Sequence, residues 1–89
     1  MGKVEKLKEL LKTQMEVRGT RHRFYPDRVE ANSFSGLTVF IENDSLVFAN
    51  WQKQQPLSEE VIKEIADDRY VTIFTRDEDG PIEITLDLN

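Results

Sequence analysis

The residue types that suggest chemistry are concentrated in residues 18–28. Arginine makes bidentate hydrogen bonds to phosphate and carboxylate groups, and aromatic rings stack on nucleic-acid bases. The segment therefore predicts an anionic partner. Three interpretations stay open: a nucleic acid, an acidic protein or ligand, and a solvated cationic strand with an aromatic residue in the core. The candidate binding residues of the segment are Arg18, Arg21, His22, Arg23, Tyr25 and Arg28.

The sequence does not indicate a catalytic arrangement. His22 is the single histidine, and no Gly-x-Ser-x-Gly segment supplies a nucleophilic serine to work with it. The absence of cysteine excludes a thiol nucleophile, a disulfide framework and a thiolate metal site. The carboxylate pairs at 59–60 and 67–68 are sequence neighbours, which do not face each other on a helix. We therefore expect a protein that is not an enzyme and that has no catalytic residue and no cofactor.

One short acidic segment is similar to the start of a metal-binding loop. Asp77 and Asp79 match the first and third positions of a calcium loop of the EF-hand type, and Gly80 follows them at the fourth. That loop requires glycine at its sixth position and glutamate at its twelfth, and the twelfth position here is Leu88. We therefore interpret residues 77–80 as a hairpin turn and predict no metal site.

Charge is distributed unevenly along the chain, which has a net charge of −5. Residues 1–41 contain eight lysines and arginines against five acidic residues, whereas residues 42–89 contain four against twelve. Such asymmetry indicates a charged partner, unless folding interleaves the two halves. The acidic half also permits a further interpretation, in which it imitates nucleic acid and acts as an inhibitor.

Two helices are predicted to position these residues. Apolar residues recur at helical spacing over residues 3–17, which predicts a helix that stops at Gly19. Ser58 is a favourable N-cap residue and predicts a second helix that runs to Asp68. Ser33 to Gly36 is interpreted as a loop.

The other regular segments are predicted to be strands, because they alternate apolar and polar residues or are rich in β-branched residues. Together with the helices they give the order α-β-β-β-β-α-β-β. This order predicts an α+β fold: a single antiparallel sheet of four to six strands, depending on whether the arginine-rich first strand forms, with two helices packed on one face. The predicted strands are residues 20–25, 28–33, 37–42, 45–51, 70–75 and 81–88.

The hairpin formed by residues 37–42 and 45–51 is apolar on both faces. Two helices on one side of a sheet leave the other side uncovered, so we expect a homodimer that uses the leftover face or an exposed edge. Trp51 closes this hairpin and is a further candidate binding residue, since tryptophan is enriched at interfaces. A place for Trp51 in the core is the alternative.

The 89-residue length predicts one domain over residues 1–89. No apolar run approaches the roughly 20 residues of a membrane helix, and no secretory signal is visible, so we expect a cytoplasmic protein without membrane contact. The preferred interpretation is a non-enzymatic protein-binding or adaptor domain that forms homodimers. The alternatives are nucleic-acid binding through residues 18–28 and an acidic inhibitor that imitates nucleic acid through the C-terminal half.

Overall fold

The computed structural model describes residues 2–89, which form mainly β-strands. Within this range a single short α-helix precedes seven strands, and a 3-10 turn, Ala49–Trp51, follows the third strand. The elements are α1 (Lys3–Leu10), β1 (Met15–Phe24), β2 (Val29–Glu42), β3 (Ser45–Phe48), β4 (Lys53–Pro56), β5 (Ile62–Ala66), β6 (Tyr70–Asp77) and β7 (Gly80–Asp87).

The seven strands form one antiparallel sheet in the order β4-β3-β2-β1-β7-β6-β5. The two outermost strands, β4 and β5, are consecutive in the chain and are joined by residues 57–61. The sheet curls into a half-barrel with a concave inner face and a convex outer face. The predicted sheet of four to six strands with two helices is therefore wrong.

The core lies between the concave face of the sheet and α1. Leu7 in α1 and Leu11 just after it are buried against this face. The last strand alternates as its sequence predicts, and its apolar stripe is buried. The buried hydrophobic residues are Leu7, Leu11, Val17, Leu37, Val39, Leu46, Phe48, Ile62, Val71, Ile73, Ile82, Ile84, Leu86 and Leu88.

The first helix is shorter than predicted, because it ends at Leu10. Met15 and Val17 belong instead to β1, where they pair with β2. Met15 continues the helical spacing of Leu7 and Leu11, but Met15 and Val17 are two residues apart and share one face of a strand. Gly19 is not a helix stop but a point of close approach, since a Cβ atom there would lie 2.0 Å from the carbonyl oxygen of Thr85.

The second predicted helix, over residues 58–68, does not form. The Oγ of Ser58 accepts a hydrogen bond from the N–H of Val61 at 3.2 Å, as a helix cap would, but one turn later the chain enters β5. Asp67 and Asp68 then adopt left-handed φ angles of 54° and 55°, which turn the chain into β6. The segment therefore supplies an edge strand to the sheet.

The turns were predicted more accurately than the helices. The two-residue turn Asn43-Asp44 is confirmed, with φ angles of 50° and 61° that match a hairpin turn of the primed type. The predicted loop before it is wrong, because Ser35 and Gly36 form a bulge within β2 opposite Arg18. Gly36 has a φ of +70°, which suits glycine at a bulge.

The helical content of residues 2–89 is too short and too polar for a membrane crossing, since none of it qualifies as a membrane-spanning segment.

Candidate functional site

The curl of the sheet leaves a cleft of about 550 Å³ at the end of the half-barrel that α1 does not cover. We call it the Arg21–Trp51 cleft. Its floor is apolar, whereas its walls carry polar and charged side chains. The lining residues on which the argument depends are Arg21, Phe48, Trp51, Lys53, Gln55, Thr75, Asp77, Ile82 and Ile84.

Strand pairing explains why arginine points into this cleft. Arg21 lies opposite Ile84 and Arg23 lies opposite Ile82 in the β1–β7 ladder. Opposite residues of an antiparallel pair share a face, so both arginines lie on the concave side. The placement of Phe24 in the core was therefore the wrong alternative: Phe24 is on the convex face and half-buried, 6.5 Å from the Phe74 ring.

Arg21 and Trp51 meet inside the cleft. The guanidinium carbon of Arg21 lies 5.3 Å from the centre of the Trp51 ring, within the range of a cation–π interaction. Trp51 is held in turn by Phe34 and Phe48, whose ring centres are 5.1 and 5.4 Å away. Within residues 2–89, no carboxylate lies at ion-pair distance from Arg21. Arg21 is thus a half-buried cation without an ion-pair partner among these residues.

Arg23 is fully engaged within the protein. Its two terminal nitrogens donate to the two carboxylate oxygens of Asp77, one of them at 2.6 Å from Nη1 to Oδ1. The Arg23 guanidinium holds the pKa of Asp77 well below its usual range. The N–H of Asp79 also donates to Asp77, at 2.9 Å. This ion pair closes one side of the cleft and leaves Asp77 with no free charge to offer.

The cleft lies between β4 and β6, which are not neighbouring strands in the sheet. Thr75 on β6 donates its hydroxyl hydrogen to the side-chain oxygen of Gln55 on β4. Lys53 on β4 places its Nζ 3.9 Å from Oδ2 of Asp77. Side chains therefore span the gap between β4 and β6.

Arg18 lies on the convex face, away from the cleft. It contacts Asp87 at 3.3 Å, and Arg69 contacts the same carboxylate at 2.9 Å. Asp87 is buried although it is charged, and the Arg69 guanidinium, helped by Arg18, holds the pKa of this carboxyl well below its usual range. Arg18 therefore has a structural partner.

The remaining residues of the segment 18–28 are also dispersed. Arg28 is in the turn after β1, where it stacks 4.2 Å from the centre of the Tyr25 ring and contacts Asp27 at 3.3 Å. His22 is on the convex face, and its Nδ1 is buried without a hydrogen-bond partner in the described chain. The seven predicted binding residues do not form one site, and Arg21, Arg23 and Trp51 are those near the cleft.

Sequence reasoning missed the contribution of β4 and β6 to the site. Lys53 and Gln55 lie outside every predicted helix and strand, and Asp77 is predicted to be part of a hairpin turn. A signal for Asp77 was present, because it continues the alternation of Ile73 and Thr75 and so shares their face. The contribution of β4 had no comparable signal.

Comparison with known proteins gives no further guidance. No family model, curated protein or solved structure matches the chain at a significant level. Within residues 2–89 no cluster of three histidine, cysteine or acidic side chains is arranged to hold a metal ion.

Proposed function

We propose that this chain is a non-enzymatic protein-binding domain whose Arg21–Trp51 cleft holds a carboxylate-bearing, extended segment of a partner protein. The observation that supports the proposal is the state of Arg21. It is a half-buried guanidinium, it lies against an aromatic ring, and no carboxylate of residues 2–89 lies at ion-pair distance from it.

The chemistry of the cleft favours an anion beside an apolar group. A guanidinium presents several N–H donors in one plane, which matches the two oxygens of a carboxylate. The adjoining floor consists of Phe48, Ile82 and Ile84, which favours an apolar side chain next to that carboxylate. Ion pairs in a partly dry cleft are stronger than those on an open surface, because solvent screens them less.

A protein segment fits this arrangement better than a nucleic acid does. Nucleic-acid binding depends on several cations that each neutralise a phosphate. Arg18, Arg23 and Arg28 already have carboxylate partners within the chain. Glu78 and Asp79 also line the cleft, so they oppose a polyphosphate, which carries a charge on every unit, more than a peptide that places a single carboxylate at Arg21. A volume of about 550 Å³ lies in the range of small-ligand pockets and accommodates a few residues of an extended peptide.

The single tryptophan gives a direct assay, since Trp51 is in the cleft and any occupant changes its fluorescence. The probes are a short synthetic peptide that alternates glutamate and leucine, a matched peptide that alternates lysine and leucine, and a single-stranded oligothymidylate. We expect the acidic peptide alone to change the fluorescence in a saturable manner. Binding of the oligothymidylate, with a steep loss in salt, would favour the nucleic-acid alternative instead.

Arg21→Gln tests the residue that carries the proposal. Hydrogen bonds to charged groups contribute about 1.5–3 kcal/mol, so the variant should weaken peptide binding about tenfold to a hundredfold. Arg28→Gln is the matched control, because it removes the same charge from a turn outside the cleft. Equal effects of the two substitutions would show that only net charge matters, and the proposed site would be wrong.

A further inference from the structure

The longest unpaired edge in the sheet belongs to β2. This strand pairs with β1 from Val29 onward, but with β3 it pairs only over Val39 to Glu42. Next to that ladder, the N–H of Thr38 donates to the side chain of Asn50 at 2.6 Å. In the described chain, residues 29–37 have no backbone hydrogen-bond partner on the β3 side.

The ladder with β1 shows which groups face outward. The N–H of Tyr25 donates to the carbonyl of Arg28 at 2.9 Å, so these two residues form a hydrogen-bonded pair. Such pairs alternate along an antiparallel ladder, and each residue between them directs its N–H and C=O to the opposite side. Val29, Ala31 and Ser33 therefore present unpaired backbone groups at the free edge.

The other two edges of the sheet are protected, whereas this one is not. The edge strand β4 has four residues and contains Lys53 and Pro56, and β5 has five and contains Lys63 and Glu64. Short length, lysine and proline are the features by which natural sheets prevent edge-to-edge pairing. Residues 29–35 contain no lysine and no proline, and their one charged residue is Glu30.

The free edge of β2 also carries an exposed apolar side chain. Val29 is 58% exposed, the highest value among the exposed large hydrophobic residues of the described chain. It lies opposite Phe24 on the convex face, and Phe24 contacts Phe74, which is 42% exposed. An apolar patch therefore begins at the free edge and continues over the sheet.

We infer that residues 29–35 of β2 pair antiparallel with the same residues of a second copy of this chain, about a two-fold axis near Asn32. The edge is self-complementary in this arrangement. An axis at Ala31 places Glu30 opposite Asn32 of the second copy, and an axis at Asn32 places Glu30 opposite Phe34 of the second copy. Neither arrangement sets two glutamates against each other. At the centre, Ala31 meets its own copy in the first arrangement and Ser33 in the second, so small residues lie at or beside the axis in both.

Sedimentation velocity at about 100 µM tests for the dimer, since association follows mass action. We expect a species of twice the chain mass of 10.4 kDa, which dissociates on dilution. A monomer at that concentration would overturn the inference.

Charge complementation tests the surface. The double variants Ala31→Lys with Ser33→Lys and Ala31→Asp with Ser33→Asp place like charges across the axis in both arrangements. Each should be monomeric alone, and an equimolar mixture of the two should restore a dimer. The same changes at Thr13 and Gln14, in the exposed segment between α1 and β1, are the matched control and should leave the dimer intact.

Ala31 and Ser33 are both exposed, so the variants with charged residues at these positions should fold, and circular dichroism checks this. Ala31→Pro gives a second route, because it removes an outward N–H without touching the β1 ladder, and it should also be monomeric. Charged or proline variants that remain dimeric would overturn the inference, as would a mixture that stays monomeric.

Discussion

Substituting Gly19 by alanine tests the closeness of the strands at the centre of the half-barrel. A Cβ atom on Gly19 would lie 2.0 Å from the carbonyl oxygen of Thr85 and 2.7 Å from Cζ of Phe34. Real Cβ atoms essentially never have contacts below 3.0 Å. Because the nearer atom belongs to the backbone of β7, a side-chain rotation cannot relieve the contact, and β1 and β7 must move apart by about 1 Å.

Overpacking of this kind costs about 1–3 kcal/mol, and the involvement of the backbone places Gly19→Ala at the upper end. For a domain of this size each kcal/mol lowers the melting temperature by about 4–8 °C. We therefore expect Gly19→Ala to lower the thermal midpoint, measured by circular dichroism, by about 12–24 °C. A loss of this size consumes a large part of the roughly 5–15 kcal/mol that stabilises a typical domain.

Gly36→Ala is the matched control for this prediction. The atom nearest to a Cβ at Gly36 is Oε1 of Glu16, at 4.0 Å, so no clash arises. The only cost is the left-handed backbone at a φ of +70°, about 1–2 kcal/mol for a residue with a side chain. If Gly19→Ala melts within about 4 °C of the parent, or above Gly36→Ala, the close approach of β1 and β7 is refuted.

Two further predictions concern the last strand and the cleft wall. Deletion of residues 86–89 should unfold the protein, because burial of Leu86 and Leu88 contributes about 3–6 kcal/mol to its stability. Circular dichroism should then show the loss of the folded structure. Arg23 lowers the pKa of Asp77 in the folded state. Their pairing therefore stabilises the fold fully above the unfolded pKa of about 4, and this stabilisation is lost as the pH falls towards the lower pKa that Asp77 has in the folded protein. Urea unfolding of Asp77→Asn from neutral to acidic pH should therefore lose part of the parent's acid dependence, whereas Glu78→Gln, at the same hairpin tip, should retain it.

Elements with a local cause could be predicted from the sequence. The Asn43-Asp44 turn was recognisable because both residues tolerate the positive φ that they adopt. The strand over residues 80–87 was recognisable because its alternation is unbroken. In these places a few neighbouring residues decide the conformation, and no distant contact overrides them.

The helix predictions failed where two periodicities were compatible with the same residues. One face of a helix would contain Val61, Ile62 and Ile65. In β5, however, a register shift between Ile62 and Glu64 allows Ile62 and Ile65 to pair with buried residues of β6, Ile73 and Val71. The free side of β6 decides the outcome, because a strand at that position gains a ladder of hydrogen bonds that a helix would not make. This competition is non-local and cannot be read from a window of sequence.

The candidate site was predictable in its residue types but not in its geometry. In the predicted strand over residues 20–25, Arg21 and Arg23 share one face because strand side chains alternate, and the structure has them on one face. The sequence could not show that this face is the concave one, nor that Trp51 would reach Arg21 from a 3-10 turn beyond β3. Both facts depend on how far the sheet curls, which is a property of all seven strands.

The charge asymmetry of the sequence is largely resolved by pairing between the two halves. Cations of the first half contact acids of the second in four ion pairs of the described chain. These are Lys6–Asp68, Lys8–Asp44, Arg18–Asp87 and Arg23–Asp77. Glu59 of the acidic half also accepts the N–H groups of Lys3 and Val4 at the start of α1.

This pairing bears on both of the charge-based alternatives. An acidic surface that imitates nucleic acid needs carboxylates without partners, and pairing removes several of them from the available set. A nucleic-acid site at residues 18–28 needs free arginines, and three of its four have carboxylates beside them. Arg21 differs from the rest because its neighbour is Trp51. Among the four arginines of residues 18–28, the one that folding leaves without an ion pair lies in the cleft, which is why we expect the partner to supply a carboxylate there.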